Sequence, residues 1–261
     1  MRSMTLPLMC FLCFLAQVSS VLAGGQASER AHEWPILEEV LRTGEVVKIE
    51  DMGTGANKPL KVTLTKNGRT AAGVWKPIKR GPREETWESY QAEVAAYEID
   101  KMLGLHMVPP TLEREIHGLK GSLQLWVEGC RRFDEARNDV PGGVAWERTM
   151  SRMKVFDNLI SNWARSDRDF MVDPDWNVVL IDHSQAFLST KELSARKDQI
   201  PELFDKQLVE RLRSLQADFL SVRFGRVLLE PQIRAILARR DALLTLMEKL
   251  VSEKGEAAVL F

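Results

Sequence analysis

A chain of 261 residues that is 44% hydrophobic and 28% charged has enough apolar content to bury a sizeable core, as one bilobal domain or two small ones, which excludes a disordered chain. With 36 basic against 37 acidic residues there is no global basic footprint of the kind nucleic acid requires. A nucleotide or phosphate would have to be met by local groups.

Arg2 precedes the apolar run Leu6–Ala16, and no further charge follows until Glu29, so residues 1–23 read as a secretory signal peptide cleaved after Val21-Leu22-Ala23. An uncleaved signal anchor is the alternative; the run is short for one and is broken by Gln17, Ser19 and Ser20. On the signal reading the chain is exported, periplasmic or secreted if bacterial, and keeps no transmembrane span after cleavage. Cys10 and Cys13 leave with the signal, and Cys130 alone cannot form an internal disulfide.

A short amphipathic helix is expected over Pro35–Arg42, stopped at Gly44 by a left-handed cap. Three strands follow: Val46–Ile49, the alternating Leu60–Thr65, and Thr70–Lys76 after the Asn67-Gly68 hairpin signal. Gly53 and Gly55 lie in the loop between the first two. From about Glu85 to Leu103 the period becomes helical, ending at Gly104, with Glu93 between Tyr90 and Tyr97 on one face. Two more strands, Thr111–Ile116 and Ser122–Val127, lead to Glu128-Gly129 as a hinge. Residues 24–129 thus make a first unit and 130–261 a second, mainly helical one. In the second, Arg137–Gly143 reads as a surface loop and Trp146–Ile160 as a helix. A hairpin, Phe170–Val172 and Val178–Ile181, turns at Asp173-Pro174-Asp175. Two long core stripes close the chain, one through Phe204, Leu208, Leu212, Leu215 and Phe219, the other from Ile233 to Val251 after Pro231.

A strand-rich unit with a glycine loop, a strand-end Lys76 and a helical Glu93, then a hinge, then helices with a hairpin ending in Asp182, is the order of parts a protein-kinase-like fold needs. In such a fold the loop backbone can approach phosphates, Lys76 can neutralise them while Glu93 holds its ammonium, and Asp182 can bind a Mg²⁺ that bridges them. Four apolar residues deliver Asp182 to the end of its strand, where a carboxylate needs a metal or a donor; capping the Ser184-Gln185 turn is the alternative role. His183 has no second His or Cys at zinc spacing and reads as structural.

The segments Gly73-Val74-Trp75-Lys76-Pro77, Tyr90–Ile99, Gly121–Gly129 and Phe156–Asn162, and above all Asp173–Phe187, resemble the atypical kinase group. That group contains bacterial phosphatidylinositol 3-/4-kinase-like proteins, HipA-type kinases and Golgi secretory-pathway kinases. The resemblance runs from about Val46 to Met247. It implies an α+β, bilobal protein-kinase-like fold with a small β-rich N-lobe carrying one long helix and a mainly helical C-lobe. It further implies ATP with Mg²⁺ or Mn²⁺ as cofactors. Lys76 matches the phosphate-contacting lysine, Glu93 its ion-pair partner, Asp169 the second metal ligand and Asp182 the principal one; Gly53, Gly55 and Glu128 complete the nucleotide site. The acceptor implied is a protein or small-molecule hydroxyl.

The family's loop reads Asn-Thr-Asp-Arg and closes on Asn, whereas this chain has Asn162-Trp163-Ala164-Arg165 and closes on Asp169. Ala164 therefore stands where the catalytic carboxylate belongs, at the family's spacing of eighteen residues from Asp182. Asp167 is the neighbouring carboxylate able to substitute as base. The sequence leaves two expectations: a phosphotransferase with weakened base catalysis, or a pseudokinase that acts as a binding or regulatory module.

Overall fold

The alternation of Leu60, Val62 and Leu64 with polar neighbours becomes an interior strand of a five-stranded antiparallel sheet, because burying one face of each strand is what period-2 patterning permits. The computed structural model describes residues 19–53, 58–83 and 86–261. It is an α+β protein with a small antiparallel sheet region and several helices. In chain order its first elements are α1 (Ser19–Thr43), β1 (Glu45–Asp51), β2 (Leu60–Lys66), β3 (Arg69–Lys76), a short hairpin β4 (Gly81–Arg83) and β5 (Thr86–Glu88), and α2 (Tyr90–Leu103). Then come β6 (Thr111–Ile116), β7 (Leu119–Leu125), β8 (Arg131–Arg132), α3 (Phe133–Ala136), α4 (Gly143–Ile160), β9 (Phe170–Val172) and β10 (Val178–Leu180). The chain ends with α5 (Lys206–Ser214), α6 (Ala217–Phe224), α7 (Glu230–Lys254) and α8 (Glu256–Val259). The main sheet has the order β1-β2-β3-β7-β6.

Two apolar clusters divide the interior. Trp34, Val40 and Leu41 of α1 pack with Val62, Leu64, Trp75, Leu112 and Leu123 of the sheet. The larger cluster joins α2 to α4, β9, β10 and α5 to α7. Ala92, Ala95 and Ala96 are buried in it; their small side chains let α2 approach its neighbours closely.

The helix expected over Pro35–Arg42 extends back to Ser19, with Pro35 inside it: the proline removes one N–H from the ladder without ending the helix. Gly44 does stop α1, but not through a left-handed backbone. A Cβ there would lie 2.4 Å from the Val40 carbonyl oxygen, whose bond to Gly44 N–H closes the last turn. Arg114 accepts the role of capping donor, giving hydrogen bonds to the carbonyls of Leu41, Arg42 and Gly44. Near the middle of α1, Arg30 donates to the Asp173 carboxylate at 2.5 Å and the Val178 carbonyl at 3.2 Å, which ties the helix to the β9–β10 hairpin.

The Asn67-Gly68 turn has both residues at positive φ, 50° and 76°, as a type I′ hairpin requires. The helix expected from Glu85 starts five residues later, since Ser89 takes the cap and accepts from the Gln91 N–H at 3.1 Å. The stripe from Phe204 to Phe219 is not one helix. Leu215 turns extended after α5, the helical phase is reset, and Phe219 becomes 55% exposed while Leu220 and Phe224 take the core positions.

Asp100, in the last turn of α2, is 1% exposed and accepts from the Met107 N–H at 3.1 Å. Burial pushes its carboxyl up to about 7, although the backbone N–H groups of Met107, Val108 and His106 pull it down. Between its ordinary value and about 7 the folded chain holds a proton that the unfolded chain has lost, so stability falls as pH rises through that window. Asp100→Asn removes this titration. Between pH 5 and pH 8 the wild type is expected to lose on the order of 2 kcal/mol more than the variant, read from urea midpoints. Parallel pH profiles would contradict the assignment.

Candidate functional site

Strand alternation puts Ala71, Gly73 and Trp75 of β3 into the sheet core and leaves Lys76, the last residue, at the border where its side chain is 17% exposed. The backbone there is fixed by close approach. Lys76 pairs with Ser122 of β7, and a Cβ on the neighbouring Gly121 would fall 2.6 Å from the Lys76 carbonyl oxygen. Glu93 stands in the first turn of α2, where the helix dipole favours a carboxylate. The start of that helix is tied to the segment after β10, since Ser89 N–H donates to the Ser184 carbonyl at 2.9 Å.

These two elements and the end of β10 converge. Lys76 Nζ lies 2.9 Å from Glu93 Oε1 and 3.3 Å from Asp182 Oδ1. Glu93 is buried, whereas the Asp182 side chain is 49% exposed, so the carboxylate that faces solvent is the one with room for a ligand. Asp182 has φ 60°, a left-handed backbone that aspartate tolerates better than most residues. The other Glu93 oxygen, Oε2, accepts the His183 N–H at 3.0 Å.

Burial opposes both charges of the Lys76–Glu93 pair, yet the pair overcomes it. Glu93 and Asp182 hold the Lys76 ammonium above its ordinary range, and Lys76 above all holds Glu93 well below the usual carboxylate range. Lys76 is therefore a fixed cation and Glu93 a fixed anion at neutral pH. His183, fully buried, is pushed the other way by desolvation and stays neutral.

The loop that carries Ala164 is built on buried polar groups. Asp157 of α4 accepts from Asn162 Nδ2 at 3.0 Å and from Arg165 Nε and Nη2 at 3.0 and 2.9 Å. Ala164, between Asn162 and Arg165, is exposed. Asp169 turns one carboxylate oxygen, Oδ2, onto the Ser166 N–H and hydroxyl at 2.8 and 2.6 Å. Its carbonyl accepts from Ile181 N–H at 3.2 Å, which sets Asp169 beside the peptide that leads into Asp182.

Asp167 stands apart from the lysine group. It is exposed, its carboxylate lies 3.7 Å from Arg137 Nη1, and it helps line a cavity of about 610 Å³ between α4, the loop and residues 196–199. Gly53 has φ 65° and its N–H donates to Asp51 Oδ1 at 2.8 Å; among the described residues nothing lies within 4 Å of where its Cβ would be. Gly55 lies outside the described residues. Glu128 is exposed in a turn whose next residue, Gly129, has φ 74°.

Sequence reasoning missed Arg165 and Asp157. The signal available was the arginine of the family's loop, which Arg165 matches; periodicity does not separate it from a solvated loop charge.

Asp169 and Asp182 stand at paired ends of the β9–β10 hairpin, joined by the Ile181 N–H to Asp169 carbonyl bond, and carboxylates are hard oxygen donors of the kind that suits Mg²⁺ or Mn²⁺. Among the described residues no three His, Cys, Asp or Glu side chains gather into a cation site. The protein's share would thus be Asp169 and Asp182, with phosphate and water oxygens as the remaining ligands, the usual arrangement for a nucleotide-borne magnesium. Among the described residues no helix is long and apolar enough to cross a membrane. Comparison with models of known families and with curated proteins returns no match.

Proposed function

We propose that this chain is an exported, bilobal protein-kinase-like protein of the atypical group that binds ATP with Mg²⁺ or Mn²⁺ between its two units. The observation that carries the reading is the seat of Lys76 Nζ, 2.9 Å from Glu93 and 3.3 Å from Asp182, three residues from three separated elements. The sheet order β1-β2-β3-β7-β6, with α2 alongside and a glycine turn at Gly129, supports it. Lys76 is the group to meet phosphate charge, Glu93 orients it, and Asp169 and Asp182 are the metal ligands. When bound, the divalent ion neutralises and bridges the phosphates. Gly53 approaches the phosphates by backbone, and Glu128 sits at the hinge.

The activity assigned is phosphoryl transfer to a protein or small-molecule hydroxyl, slowed by the missing carboxylate at Ala164. A specific observation favours a second reading, that of a pseudokinase: Asp167, the substitute base, is exposed with its carboxylate 3.7 Å from Arg137 Nη1, and among the described residues no ion pair joins it to Lys76. The two readings share nucleotide binding and part at transfer.

Thermal denaturation with MgATP or MnATP tests what they share. At a hundredfold excess of ligand over Kd the stabilisation is about 2.7 kcal/mol, an upward shift of roughly 5 to 10 °C for a chain of this size. The shift is expected to need the metal and to be lost in Asp182→Ala. No shift under any nucleotide and metal condition would sink both readings.

A further inference from the structure

Arg165 is the most heavily engaged side chain near the proposed site. Its side chain is 5% exposed. Nε and Nη2 grip the two oxygens of Asp157, Nη1 donates to the carbonyls of Asp169 and Ile181, and Nη2 also reaches His183 Nε2 at 2.9 Å. All five N–H donors of the guanidinium are used. Their targets are not a random set: one carbonyl belongs to Asp169 itself, and the other is the peptide oxygen immediately before Asp182. Arg165 donates to Nε2; the other ring nitrogen, Nδ1, is 3.7 Å from Glu93 Oε2, beyond hydrogen-bond distance, and it is the His183 backbone N–H that Glu93 accepts, at 3.0 Å. Glu93 in turn holds Lys76.

We infer that Arg165, acting with His183, is a positioning residue that fixes Asp169, Asp182 and the Lys76–Glu93 pair in one geometry competent to take a divalent cation. The inference rests on the nucleotide and metal reading proposed above. Its physical basis is the rigid planar fork. A lysine at the same place keeps the charge but has three donors on one nitrogen, and cannot hold Asp157, the two carbonyls and His183 together. Loss of groups that orient metal ligands commonly weakens metal affinity about 10- to 100-fold.

The test is Mn²⁺ binding followed by electron paramagnetic resonance, with and without a non-hydrolysable ATP analogue, on full-length protein checked for folding by circular dichroism. Wild type is expected to bind Mn²⁺ with the analogue, and Arg165→Lys to bind it about 10- to 100-fold more weakly. Should Arg165→Lys fail to fold, His183→Leu reads the same quantity, since it removes one acceptor from the guanidinium and keeps the backbone N–H that Glu93 accepts; about a tenfold loss is expected. A merely structural role lowers the melting temperature but leaves the Mn²⁺ affinity of the folded protein unchanged. A folded variant with wild-type affinity overturns the positioning role while the nucleotide reading stands. Absence of Mn²⁺ binding by the wild type with the analogue overturns both.

Discussion

Glu93→Ala is expected to destabilise the protein by about 3 to 5 kcal/mol, the range seen when one partner of a buried ion pair is removed. The loss is larger than a surface pair would give because Glu93 is 1% exposed and both of its oxygens are in use, one by Lys76 and one by the His183 N–H. Asp182 at 3.3 Å remains near Lys76, but it is half exposed and cannot replace a buried counter-charge. The double variant Lys76→Met with Glu93→Leu removes both charges and is expected to recover a large part of the loss, since a buried pair contributes little net stability over a well-packed apolar replacement. The singles and the double therefore should not add, and the coupling read from urea unfolding should exceed about 1 kcal/mol. Additive effects would mean that the 2.9 Å contact carries no energy. The pair also sets a pH dependence. With the Glu93 carboxyl held low in the fold, its contribution is complete above the ordinary carboxylate range and is lost as pH falls below it.

The parts of this architecture that were legible in the sequence are those that local physics dictates. Alternation gave β2, the Asn-Gly pair gave the β2–β3 turn, and four apolar residues before an aspartate gave the end of β10. The meeting of Lys76 and Glu93 was also an expectation, resting on the order of parts and on the loop and two helical turns between them. What was not legible depends on the third dimension. Whether Phe219 faces the core turns on a single extended residue, Leu215, that no periodicity marks. Arg165 looks like any loop arginine until Asp157 and two carbonyls surround it. The reach of α1 to Asp173 joins residues 143 apart, and no sequence period spans that distance.

On the reading proposed above, that buried scaffold makes Ala164 a test of the chemistry. Asn162 and Arg165 are both anchored on Asp157, so the backbone between them is held whatever side chain Ala164 carries, and an exposed position can accept a carboxylate without a clash. Ala164→Asp is expected to raise phosphoryl transfer by about 10² to 10⁴, the usual contribution of a general base. The measurement is release or transfer of labelled γ-phosphate from MgATP or MnATP, with Asp182→Ala as the inactive control. Residual wild-type turnover, on the weakened-base reading, passes through Asp167, and Asp167→Asn should abolish it. On the pseudokinase reading Asp167→Asn changes nothing, because its carboxylate faces Arg137 and the wild type has no transfer to lose. If Ala164→Asp retains the metal-dependent thermal shift yet turns over no faster than the wild type, the loop does not aim that position at the reacting phosphate. The frame from Asn162 to Asp182 would then be a nucleotide-binding scaffold alone.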